Sequence, residues 1–171
     1  MDTFFEQIVS IRKDSKAIVP VLGILVAAVL LSAVLIYFWL LGSLTILLVL
    51  GIAFGAYKLA TLFNVEYEYI ITNGTLDIDK IINRSSRKRI LSFDLANVTR
   101  LEKYTPALLN NLKGKDITFA CNKDDKNAYL LVAEREGKQA NYLVFSPDDR
   151  LKGAIVKFVP KYIANSAFKN N

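Results

Sequence analysis

The sequence predicts a membrane α-helical hairpin joined to a mainly-β domain of seven strands, with a C-terminal helix capping the domain. Three observations predict it. Between Lys16 and Lys58 the chain carries no charged residue over forty-one positions, Ala17 to Tyr57. After Phe63 the apolar pattern changes from a helical period to a period of two. An amphipathic segment with helix-start signals then runs from Ser146 to Tyr162.

The uncharged run decides the first element by its length. As an α-helix it would extend about 60 Å, whereas a bilayer's hydrocarbon core is roughly 30 Å thick and takes about 20 residues to cross. That is too long for one crossing and suits two. Gly42-Ser43, near the middle, supplies the turn, giving a hairpin over 17–63 with spans at about 17–41 and 44–63. The apolar core of a cleaved signal peptide, about 7–15 residues, is far shorter than this run. Arg12, Lys13 and Lys16 precede the first span and Lys58 lies near the end of the second, while the turn has no cation. Positive charge flanking spans marks the cytoplasmic side, so both termini are expected there. Tyr37 and Trp39 fit the aromatic belt on the far side.

Within the hairpin, Gly51 and Gly55 form a G-x-x-x-G step, which lets helix backbones approach closely in lipid. The sequence predicts that this face closes the hairpin on itself. No Asp, Glu, Lys, Arg or His lies in the uncharged run 17–57, which argues against ion or proton transport by the chain alone. Residues 1–16 form a separate N-terminal segment. Thr3-Phe4-Phe5-Glu6 matches a capping box, and Phe4, Ile8 and Ile11 recur at helical spacing. These predict a short helix lying in the membrane interface.

Residues 64–171 are enough for one globular core. Val65, Tyr67, Tyr69 and Ile71 share one strand face, with Glu66 and Glu68 opposite. Asn73-Gly74 is a strong two-residue hairpin signal. A second strand begins at Thr75, with Leu76 and Ile78 inward and Asp77 and Asp79 outward. Further strands are predicted over 87–92, 98–103, 117–121, 128–134 and 139–145, with a Leu108/Leu109/Leu112 cluster in the connection at 104–115. Ser146 as N-cap, Pro147 at the first position and Asp148-Asp149 at the positive end of the dipole open the final helix. Leu151, Ile155, Phe158 and Tyr162 line its predicted buried face. Pro160 ends or kinks it, and the chain is expected to loosen from Asn165.

Seven strands followed by one amphipathic helix is also the order of the pleckstrin-homology (PH) topology. Tyr69-Ile-Ile-Thr-Asn-Gly-Thr-Leu-Asp-Ile-Asp-Lys-Ile-Ile-Asn83, with Arg84 and Arg87-Lys-Arg89, resembles bacterial membrane proteins that carry a PH-like domain. Phe145-Ser-Pro-Asp-Asp149 and Val159-Pro-Lys161 resemble the end of one such family of small two-helix proteins. The resemblance implies a PH-like barrel or sandwich on the cytoplasmic side of a bacterial inner membrane, but little chemistry. Its specific motifs are confined to these two short stretches. PH domains that bind phosphoinositides hold the headgroup with cations around the first hairpin loop. Here that loop is Asn73-Gly74, with no cation beside it, so an inositol-phosphate pocket is not expected there.

The candidate site is the basic cluster Arg84, Arg87, Lys88 and Arg89. The first strand runs outward from about Asn64 for some 25 Å at roughly 3.3 Å per residue, and the second returns by a similar distance. The cluster at its end is therefore expected near the bilayer, where anionic headgroups attract Lys and Arg by about 1 kcal/mol each. The competing role for these cations is to offset Glu66, Glu68, Asp77 and Asp79 on neighbouring strands. Catalysis and cofactor binding are not expected. The chain has no His, the commonest general base and metal ligand, and Cys121 falls at an inward position, where it forms no intrachain disulfide as the sole cysteine. No phosphate-binding Gly-rich loop or paired-cysteine metal motif occurs. The net charge of +6 is spread among acids, which argues against nucleic acid as a partner. The resulting expectation is a binding or scaffolding module in the bilayer whose partner is a membrane protein or a peptide. An accessory subunit of a larger transport or envelope complex is the alternative.

Overall fold

The computed structural model describes residues 3–11, 15–38, 42–112, 114–134 and 140–168. In chain order these form β1 (Phe4–Ser10), α1 (Ser15–Phe38), α2 (Leu44–Thr61), β2 (Val65–Thr72), β3 (Thr75–Ile82), β4 (Ser86–Asp94), β5 (Val98–Lys103), α3 (Leu108–Asn111), β6 (Ile117–Phe119), β7 (Tyr129–Ala133), β8 (Asn141–Phe145), α4 (Asp149–Phe158) and α5 (Lys161–Phe168). The strands make two four-stranded sheets, ordered β1-β2-β3-β4 and β5-β7-β8-β6, and neither closes into a barrel. The chain divides into two compact units. One holds Met1–Ile11, Glu66–Ile81 and Arg87–Asn171; the other holds Arg12–Val65 with Ile82–Ser86.

The strand beyond the predicted seven is β1, where the sequence predicts an interfacial helix. It pairs antiparallel with β2 over its whole length, from Phe4 opposite Thr72 to Ser10 opposite Glu66. The same residues carry both periods: Phe5 and Val9 pack on the core while Phe4, Glu6 and Ile8 face outward. Seven residues are too few for a stable isolated helix in water, and the free edge of β2 offers a full ladder instead. Thr3, read as a helix cap, pairs with the β2–β3 turn. Its N–H donates to Asn73 Oδ1 at 3.1 Å, and the Asn73 N–H donates to its carbonyl at 3.1 Å.

Both α1 and α2 are long and apolar enough to cross a bilayer. Mean hydropathy is 2.9 over Ile18–Phe38 and 1.8 over Leu44–Thr61. Gly42, with φ +53°, makes the turn between them, and its carbonyl accepts from the Thr45 N–H at 3.1 Å. Trp39, Arg12 and Lys13 lie outside the described residues. Around the G-x-x-x-G step there is open space: a Cβ built on Gly51 or Gly55 would meet no atom of the described residues within 4 Å. Thr45 and Ala56 are the buried residues of α2 among those described.

Two apolar cores fill the β-rich unit, one on each face of the second sheet. Tyr129, Leu131, Leu143 and Phe145 join the larger core with Tyr69, Ile71, Leu76, Ile78 and the buried faces of α4 and α5. The alternating residues Leu130, Val132 and Val144 join the smaller one, which Tyr104, Leu108, Leu109 and Leu112 cover. The leucine cluster of the 104–115 connection thus covers a sheet face that would otherwise meet water. Tyr69 ties the larger core together. Its buried hydroxyl donates to the Ala120 carbonyl at 2.6 Å and accepts from the Ser146 N–H at 3.3 Å. Burial holds its pKa well above the usual tyrosine range.

The C-terminal region differs from expectation in two places. The N-cap of α4 is Asp148, whose carboxylate accepts from the Leu151 N–H at 2.7 Å, while Ser146 serves Tyr69. Beyond Pro160 the chain folds into α5 rather than loosening. Ile163, Ala164 and Ala167 are buried, Phe168 packs on Tyr129 at 5.1 Å, and Tyr162 faces outward. A proline ends one helix by lacking an N–H but is well suited to begin the next.

The Asn73-Gly74 turn has φ +49° and +91°, the left-handed pair that a two-residue hairpin needs. A Cβ on Gly74 would also sit 3.0 Å from Phe158 Cδ1. Gly74→Ala is expected to lower stability by about 1–3 kcal/mol in chemical denaturation. Pairing it with Phe158→Leu is expected to recover the steric part in a double-mutant cycle. A loss under about 0.5 kcal/mol, the level of an ordinary surface change, would contradict this reading.

Candidate functional site

Adding β1 to the sheet edge makes β2 an interior strand, and this changes the outward face of the first sheet. Glu68, Asp77 and Asp79, read from the sequence as a solvated acidic face, are buried in the structure. Glu68 is 0% exposed. Cations from β4 lie against this row. Arg87 Nη2 meets Glu68 Oε1 at 2.9 Å, and Arg89 reaches Asp77 Oδ2 through Nη1 at 3.0 Å and Asp79 Oδ1 through Nε at 3.1 Å. Asp77 and Asp79 can share one guanidinium because residues two apart on a strand point to the same side.

The four basic residues singled out in the sequence therefore divide. Arg87 and Arg89 are held by acids on β2 and β3, although about half of each side chain remains exposed. Contact with Asp79 favours the charged guanidinium of Arg89 still further. Lys88 is exposed and lies between them in sequence, so it belongs to the other face of β4. Arg84 is exposed in the β3–β4 turn, where Asn83 and Arg84 both have positive φ, +52° and +54°. This turn belongs to the unit that contains α1 and α2, and the Asn83 N–H donates to the Asn64 carbonyl at 2.8 Å. Asn64 follows the end of α2 by three residues, so Arg84 stands beside the chain's exit from that helix.

Charge on the covered acids is not evenly supported. Glu68 Oε2 and Asp77 Oδ1 have no hydrogen-bond donor among the described residues. Burial, the neighbouring Glu6 carboxyl and the negative charge of Asp79 raise the Glu68 carboxyl above the usual range, against the pull of Arg87. The sequence offered the pairing of these cations with the acids as the competing role, and the ion pairs of Arg87 and Arg89 match it; what it missed is the burial of the acids, because β1 was read as a helix. The available signal was the apolar alternation Phe5/Val9, which reads as strand as readily as helix.

Other chemistry is sparse among the described residues. No group of three or more metal-ligating side chains is placed to hold an ion. Cys121 lies in the smaller core, and burial pushes its thiol up to about 12, far from a reactive thiolate. Asp125 accepts from the Asn127 N–H at 2.9 Å, a turn-stabilising role. An open depression of about 450 Å³ near the start of α4 is lined by Gln7, Asn127, Ser146, Asp148 and Lys152. The Gln7 amide works there as a clamp: its Nε2 donates to the Ser146 carbonyl at 3.0 Å, and its Oε1 accepts from the Asp148 N–H at 2.9 Å.

Comparison with known proteins agrees with the two-sheet domain and its C-terminal helices. The family described as Bacterial PH-like domain (DUF6106) matches residues 1–165, so the match takes in β1 and both apolar helices as well as the sheets. No curated protein and no solved structure matches the chain. The chain belongs to this bacterial PH-like domain family.

Proposed function

We propose that the protein is a membrane-anchored, non-enzymatic binding or scaffolding module whose PH-like domain is held at the cytoplasmic leaflet by a two-span hairpin. One observation carries this reading. The apolar helices lie in the chain between two strands that are ladder partners, and Ser10 Oγ donates to Glu66 Oε1 at 3.1 Å where the chain departs and returns. A segment inserted between neighbouring antiparallel strands must leave and come back on one side. An even number of crossings meets that demand, and two spans fit the length of the run.

In this reading the β3–β4 turn lies at headgroup depth, because Asn83 is bonded to the residue that follows the second span. Arg84 and Lys88, with Lys58 in the last turn of α2, are the cations offered to anionic lipid. Arg87 and Arg89 serve the acidic row first and lipid second. At about 1 kcal/mol per cation near an anionic surface, this is modest, but a tethered domain needs little to stay docked. A second reading is favoured by the open Gly51/Gly55 face of α2. In an accessory subunit this face would receive a helix of another membrane protein, and gentle detergent extraction would yield a defined complex.

Two experiments test the proposal. In a Cys121→Ala background, Ser43→Cys is expected to react with a membrane-impermeant maleimide applied outside the cell. Lys126→Cys is expected to react only after permeabilisation, and reaction of Lys126→Cys in intact cells would overturn the orientation. In nanodiscs, amide protection of the 82–88 turn is expected to be several-fold higher with anionic than with neutral lipid. Arg84→Glu with Lys88→Glu is expected to abolish the difference. Equal protection in both lipids would remove headgroup contact from the account.

A further inference from the structure

We propose that a proton held by the covered Glu68 and facing Glu6 latches β1 onto the sheet, so that β1 loosens as the pH rises. Glu68 is on β2, opposite Ile8 in the ladder, and Glu6 is two residues along β1 on the same face. The two carboxyls are therefore diagonal neighbours across one strand pair, close enough for long side chains to meet. Glu68 is wholly covered, and only one of its oxygens, Oε1, is met by Arg87. Oε2 has no N–H or hydroxyl donor among the described residues. Two ionised carboxylates cannot hydrogen-bond to each other. The contact between Glu6 and Glu68 is favourable only when one of them carries a proton.

The charged groups around the pair set the direction. Burial is the largest influence favouring the protonated form of Glu68; Glu6 on β1 and Asp79 on β3 add to it, and Arg87 on β4 opposes them. Asp77 and Asp79 are themselves engaged by Arg89. Glu68 thus holds its proton to higher pH in the folded chain than in an unfolded one. The stabilisation is fully present below the ordinary carboxylate range and is lost as the pH rises through the raised value. Above it, two negative charges face each other across the β1–β2 ladder. The loss falls on β1 because the remaining strands of the sheet do not depend on Glu6. Phe5, Val9 and the Gln7 clamp keep β1 from leaving altogether, so the device acts on how often the strand opens.

The test is amide hydrogen exchange on the full chain in nanodiscs from about pH 4, the ordinary carboxylate range, to about pH 8.5, corrected for the intrinsic pH dependence of exchange. Protection over residues 4–10 is expected to fall about three- to tenfold across this range, as the proton that favours the closed strand is lost. Protection of residues 130–132 in β7 is expected to stay constant and serves as the measure of global folding. Glu6→Gln supplies a permanent amide donor and is expected to keep β1 protection flat with pH, as is Glu68→Gln. A flat profile in the unmodified chain would overturn the proposal. So would an equal fall in Glu6→Gln with β7 still protected.

Discussion

The pairing of β1 with β2 is the constraint on which the rest depends. Fifty-five residues separate Ser10 from Glu66, and closing so long a loop is entropically unfavourable when the segment is flexible. A helical hairpin removes most of that cost. Two helices packed side by side bring the ends of the inserted segment within about 10 Å of each other. Helical insert and sheet are in this sense cooperative: forming either one shortens the search for the other.

The same pairing explains the electrostatics of the sheet. Without β1, Glu68 would lie on an edge strand with water on one side. With β1 in place it is covered, and its charge must be met by protein groups. Arg87 meets one of its oxygens, while the neighbouring Glu6 carboxyl works against the charge. Breaking a covered ion pair by removing one partner is generally far more harmful than its absence would be, so Arg87 has a structural duty that precedes any contact with lipid. The basic cluster is then two pairs of residues with different work: Arg87 and Arg89 cover acids, while Arg84 and Lys88 remain on exposed surface.

Much of this architecture was legible in the sequence, and the reasons differ by element. The charge-free run and Gly42 give the helical hairpin because only length and polarity decide it. Asn73-Gly74 gives the β2–β3 turn because few other residue pairs accept two positive φ angles. Cys121 is legible as a core residue from its parity with Ile117 and Phe119. By contrast, β1 was not legible. Phe4, Phe5, Ile8 and Val9 satisfy a helical and an alternating pattern at once, and the partner that decides between them lies fifty-odd residues away. The burial of Glu68, Asp77 and Asp79 follows from that same distant contact. The capping assignment failed at closer range: Asp148 and Ser146 are both good caps, and the helix begins at Asp149, which leaves Asp148 as the residue whose carboxylate reaches the Leu151 N–H. At the C-terminus, Pro160 marks a boundary correctly, but the apolar spacing Ile163/Ala164/Ala167 is too short to signal a helix without the sheet it packs on.

The pairing itself can be measured in native membranes. With Cys121→Ala as background, cysteines placed at Ser10 and Glu66 are ladder partners, within the separation that a disulfide spans. The account predicts rapid oxidative cross-linking of this pair and none between Ser10→Cys and Thr72→Cys, which stand at opposite ends of the two strands. Failure of the Ser10/Glu66 pair to link, with both thiols reactive, would show that β1 does not close the sheet, and the inserted-hairpin account would be wrong.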